Sequence, residues 1–144
     1  MWQDTLTELR LYADRSPLNI LILGAVTSEQ RDEALCELRA AHGRDAYHPQ
    51  RTMPFKLPLV PTTIVVIEEV AGLSTDHQQA ILGWLDRYRE AMVLSFAVNP
   101  VFPLVSQGTV SEKLFYRLNM ITLSVDDEAG CLSAGRYTQT GEES

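Results

Sequence analysis

Residues able to do chemistry collect where three apolar runs of this chain end. Gly24, Thr27, Ser28, Glu29, Gln30 and Arg31 follow the first run, Glu68 and Glu69 close the second, and Asn99 follows the third. A glycine turn leading into a helix can offer an anion free backbone N–H groups and the positive end of the helix dipole. Here Glu29, Asp32 and Glu33 occupy that first turn, so the helix supplies its own anions. Thr27 and Gln30 also have the Thr-x-x-Gln spacing of a capping box, a purely structural use of the same residues. The adjacent glutamates either mark a strand end or present carboxylates for a metal ion and a base. A further cluster, Phe115, Tyr116 and Arg117, combines the residue types favoured as interface anchors with an arginine that is costly to bury unpaired. Leu114 and Leu118 beside it have the spacing of a face buried against a sheet.

The elements that must position these residues follow from hydrophobic periodicity. Residues 5–13 repeat Leu6, Leu9 and Tyr12 at helical spacing before Ser16 and Pro17. Residues 19–23, 63–67, 92–98 and 121–125 are short apolar runs, the kind a parallel sheet covers on both faces. Between them lie three helical stretches. The first reaches about Ala41, carries Ala34, Leu35 and Leu38 on one face, and ends at Gly43, placed for a left-handed cap. The second, capped by Ser74 or Thr75, runs to about Glu90 with Ile81, Leu82, Trp84, Leu85 and Tyr88 on one face, and the third spans 111–119 with Ser111 as its cap. Residues 44–62 hold four prolines and read as connection, with at most an edge strand at 46–48. The alternation predicts an α/β fold with a mostly parallel sheet between helical layers, and ligand sites beyond the carboxyl ends of its strands.

Composition narrows the function classes. The 144 residues are 45% apolar, which suits one domain with a core. A formal charge of −7 repels polyphosphate, so direct nucleic-acid binding is not expected. The loose cluster Arg39, Arg44, Arg51 and Lys56 is interrupted by Asp45, Pro49 and Pro54 and reads as a solvated loop. No apolar run has the length of a membrane span, and the expected location is the cytoplasm. Cys36 and Cys131 indicate neither a disulfide framework nor, with His42 and His48, a metal site. The polar residues from Asp126 onward are expected to be a frayed tail or small appendage.

One stretch is specific enough to suggest kinship. Glu112, Lys113, Leu114, Phe115, Tyr116, Arg117, Leu118 and Asn119 resemble the E-D-L-Y-Y-R-L-N helix in the ATPase core of the sigma-54-dependent transcription activators, a branch of the AAA+ family. Collinear with it, Leu21 to Gly24 is similar to the strand entering that family's phosphate loop. Ile67, Glu68, Glu69 and Val70, with Leu73 and the run from Gln78 to Leu82, are similar to its Walker B strand and the helix behind it. Val98 and Asn99 fall where the family has its Thr-Asn sensor. The resemblance covers roughly residues 5–125 and implies a P-loop NTPase-like three-layer sandwich without the AAA+ helical lid.

Against that pattern the chain departs in four places. A phosphate loop needs G-x-x-x-x-G-K-[ST], with Lys on the phosphates and a hydroxyl on magnesium. Gly24, Ala25, Val26, Thr27, Ser28, Glu29, Gln30 and Arg31 put Glu, Gln and Arg at the last three positions. Glu68 stands at the metal-holding aspartate, while Glu69 keeps the family's catalytic carboxylate; the longer side chain displaces a metal that requires near-octahedral geometry. Ser111 replaces the first of two arginines offered to a neighbouring protomer, and Arg117 keeps the second, where it could serve catalysis across a ring or only support the helix. Only 37 residues lie between Gln30 and Glu68, and no G-A-F-T-G-A loop occurs there.

The resulting expectation is a degenerate core over 1–125 and a polar tail over 126–144. It would act as a non-hydrolysing binding or regulatory module in bacterial transcription, without a cofactor, on a protein partner such as another AAA+ protomer or a transcription regulator. The oligomeric state stays open. The competing expectation is a weak ATP and magnesium binder or NTPase domain of a larger response regulator, working through Glu68, Glu69, Asn99 and Arg117.

Overall fold

The computed structural model describes residues 2–13, 18–59 and 62–125. The expectation for the tail at 126–144, the ends of the loops at Ser16, Pro17 and Pro61, and Cys131 lie outside the described residues.

Five strands form one all-parallel sheet: β1 (Ile20–Leu23), β2 (Ala46–Tyr47), β3 (Ile64–Ile67), β4 (Met92–Ala97) and β5 (Ile121–Ser124), in the order β2-β3-β4-β1-β5. The four apolar runs are thus contiguous and parallel, as expected, although β4 separates the loop-bearing strand β1 from the two-glutamate strand β3. Helices α1 (Trp2–Ala13) and α2 (Ser28–His42) cover one face. The other is covered by α3 (Thr75–Arg87), α5 (Glu112–Leu118) and the short α4 (Phe102–Ser106).

Alternation along the strands divides the core between these layers. Met92, Leu94 and Phe96 of β4 join Leu9, Ala34 and Leu38 on one side. Val93 and Ala97 join Ile81, Trp84, Leu114 and Leu118 on the other. The burial of Leu114 and Leu118 is what their spacing required.

Local signals set the helix ends. Thr27 and Gln30 do form a reciprocal capping box, and Gly43 closes α2 in the left-handed region at φ 64°. Ser74 caps α3 and Ser111 caps α5 through their hydroxyls. Helix α3 stops at Arg87, short of the expected Glu90, because Tyr88 leaves helical geometry as its cap.

The proline-rich connection is more than a spacer. It contains a 3-10 turn at Pro49–Arg51, and Phe55 and Leu57 pack against the α3 face of the core. The Trp84 indole N–H donates to the Pro58 carbonyl at 2.8 Å, and Phe55 stacks on His77 with ring centres 3.9 Å apart. The solvated-loop reading of the basic cluster needs correction. Arg39 lies in α2 and pairs with Asp45, Arg44 donates to the Glu90 carbonyl, and Arg51 pairs with Glu68.

Candidate functional site

The carboxyl ends of β1, β3 and β4 bring Gly24, Glu68, Glu69 and Asn99 to one edge of the sheet. Gly24 has φ 125° and donates its N–H to the Ala97 carbonyl at 2.9 Å, so the turn stays tied to β4. A Cβ here would stand 2.6 Å from Val125 Cγ2, a second reason for glycine. Within four residues the chain has entered α2.

At the entrance of α2, two backbone N–H groups that could face an anion, those of Thr27 and Gln30, are used internally. The Thr27 hydroxyl accepts from the Gln30 N–H at 3.0 Å, and the Gln30 side-chain carbonyl accepts from the Thr27 N–H at 2.9 Å. Gln30, which stands where a phosphate loop has its lysine, therefore folds back over the loop. Ser28 and Glu29 are exposed in the first turn. Arg31 turns toward the sheet, its guanidinium carbon 5.5 Å from the centre of the Phe96 ring, with a buried Nε that has no hydrogen-bond partner among the described residues. A cation over an aromatic face is attracted by the ring quadrupole, so Arg31 is held by Phe96 where a hydroxyl would serve magnesium.

The two glutamates point to different tasks. The Glu68 carboxylate accepts from His48 Nδ1 at 2.9 Å and Arg51 Nε at 2.5 Å, both on the segment following β2. Glu69 caps the 3-10 turn at Val70–Gly72, accepting from Ala71 N–H at 3.2 Å, and its other oxygen accepts from Val98 N–H at 3.2 Å. Gln50 binds the strand end between them: its carbonyl accepts from the Glu68 and Glu69 N–H groups and its amide donates to the Glu69 carbonyl. Both carboxylates thus hold the backbone or a neighbouring side chain. Asn99 is exposed in the turn after β4.

Arg117 is not brought to this edge. It lies near the end of α5, and its carbonyl accepts from Asn19 Nδ2 at 2.8 Å, just before β1 begins. Its Nη1 donates to Asp86 of α3 at 2.6 Å. One chain therefore separates Arg117 from Gly24, Glu69 and Asn99 by the length of the strands. Tyr116 is 59% exposed, while Phe115 is half-buried between Tyr116 and Phe102, with ring centres 5.4 and 6.4 Å away.

Three buried or clamping polar residues were missed from sequence. Asn19 joins the starts of β1 and β4 to the end of α5, with its carbonyl oxygen accepting from Val93 N–H at 2.9 Å. Gln78 ties α3 to the loop before α5 through the Thr109 carbonyl and the Ser111 N–H. Gln50 is the clamp already described. For Asn19 and Gln78 a signal existed: each amide interrupts an apolar pattern, the first at the head of a buried strand and the second three residues before Ile81 on the stripe of α3. Gln50 sits among prolines and gives no such signal.

This architecture is that of P-loop NTPase domains. NtrX from Brucella abortus in complex with ATP is similar with a TM-score of 0.68 and 16% identity, over 87% of this chain and 37% of that one. The P-loop NTPase domain of a sigma-54 transport activator from E. coli is similar with a TM-score of 0.55 and 12% identity, over 81% of this chain and 99% of that one. A putative primosome component from Streptococcus pyogenes serotype M3 gives 0.56 and 13%, over 87% and 77%. The chain spans little more than a third of the NtrX chain. At these identities the likeness establishes the fold, and it meets the expectation of a sigma-54 activator-like core at that level. No protein-family model and no curated protein matches the chain.

Proposed function

We propose that this chain is a non-hydrolysing regulatory or binding module built on the sigma-54 activator NTPase fold, acting in the bacterial cytoplasm on a protein partner in transcription control. The observation that carries this reading is the reciprocal Thr27–Gln30 capping box, which uses the loop's N–H and the side chain at the lysine position on each other. The engagement of Glu68 by His48 and Arg51, and of Glu69 by two backbone N–H groups, supports it. Phe115, Tyr116 and Arg117 form the surface offered to the partner, another AAA+ protomer or a transcription regulator.

The rival reading, a weak ATP and magnesium binder, draws on Glu69 and Asn99 at the strand ends and on the ATP in the similar NtrX structure. Thermal melting with and without millimolar ATP and magnesium separates the two. A ligand present at a hundred times its dissociation constant stabilises by about 2.7 kcal/mol, and no such shift is expected here. A clear upward shift that disappears on substitution within Gly24 to Arg31 would establish the rival.

A further inference from the structure

A second site lies at the opposite edge of the sheet, between α3 and α5. Leu85, Asp86, Arg89 and Arg117 line an open surface cleft of about 410 Å³. Leu85 among these is buried, so the exposed lining is mostly polar. The Arg117–Asp86 bond occupies Nη1 and orients the guanidinium, and among the described residues its other N–H groups have no partner. Arg89 follows α3 in an exposed turn, and no carboxylate pairs with it among the described residues.

We infer that this cleft is a receptor for a single carboxylate carried by an acidic peptide. Two guanidiniums and one aspartate leave one positive charge, which one carboxylate neutralises. A phosphate dianion would leave the cleft negative beside Asp86, within a chain whose formal charge is already −7. An arginine already held in place forms further charge-assisted hydrogen bonds with little additional ordering cost, and the fork geometry of guanidinium matches a carboxylate. Because the cleft is remote from Gly24 and Glu69, its chemistry does not depend on the state of the phosphate loop.

The inference names the partner chemistry for the binding-module reading and rests on that reading, but the two fail by different measurements. The test follows the arginine Nε–Hε resonances of the full chain by NMR during titration with acetyl-Gly-Glu-Gly-amide, its glutamine analogue and inorganic phosphate at constant ionic strength. The glutamate peptide should shift Arg89 and Arg117 saturably, the glutamine peptide should not, and phosphate should bind more weakly. Arg89→Gln should weaken the glutamate peptide at least fivefold and Arg89→Glu should abolish binding, both with unchanged melting. Equal response to the glutamine peptide, tighter binding of phosphate, or indifference to both Arg89 variants would overturn the inference. ATP-dependent stabilisation would instead remove the module reading while leaving this result as measured.

Discussion

Ser95 provides a sharp test of how polar groups are accounted for in this core. It sits at the centre of β4, the central strand of the sheet, fully buried, with a hydroxyl that has no hydrogen-bond partner among the described residues. Its lateral neighbours in register are Leu21 of β1 and Ile67 of β3, both apolar members of the same side of the core. An unsatisfied buried polar group costs about 1–3 kcal/mol, so Ser95→Ala removes a penalty of that order. The oxygen leaves a void of about 15 Å³, which at about 24 cal/mol per Å³ costs about 0.4 kcal/mol. Taking the lower half of the penalty, the variant should be more stable by about 1 kcal/mol, which for a domain of this size raises Tm by about 3 °C. Urea unfolding and a thermal scan of the two proteins at one pH read the change, with an unaltered urea slope confirming the same buried surface. A fall in Tm of 2 °C or more would refute the reasoning and imply a partner for the hydroxyl in solution.

Three further substitutions probe the frame around the two sites. Asn19→Ala strands the Arg117 carbonyl and the Val93 N–H, and should destabilise by about 2–4 kcal/mol in urea unfolding. Gly24→Ala combines a φ of 125° with a clash against Val125 and should lower stability by about 2–3 kcal/mol; a neutral result in the same assay would mean that the turn relaxes freely. Arg117→Ala removes an ion pair whose side chains are 39% and 70% exposed, so unfolding should change by less than about 1 kcal/mol while self-association or capture of a purified AAA+ protomer weakens in sedimentation velocity. Ready unfolding with unchanged association would make Arg117 a structural residue.

The elements themselves are written locally. Apolar runs this short and rich in β-branched and aliphatic residues favour covered strands, and Thr27 with Gln30, Ser74, Ser111 and Gly43 act within one helical turn, so strand identity and these helix ends follow from neighbours in sequence. The departure of Gly24 to Arg31 from the G-x-x-x-x-G-K-[ST] spacing is equally legible, because it is a matter of residue type at fixed spacing. Strand order, in contrast, depends on which long-range pairing buries most surface, and β4 entering between β1 and β3 has no local signature. The fates of Glu68 and Glu69 were decided the same way. Adjacent in sequence, they diverge because successive side chains of an extended chain point oppositely, and only the folded chain puts His48 and Arg51 against one carboxylate, the Val98 N–H against the other, and Gln50 on the backbone of both. Arg117 and Asp86 lie 31 positions apart and meet only because α3 and α5 pack side by side, which is also what creates the cleft between them.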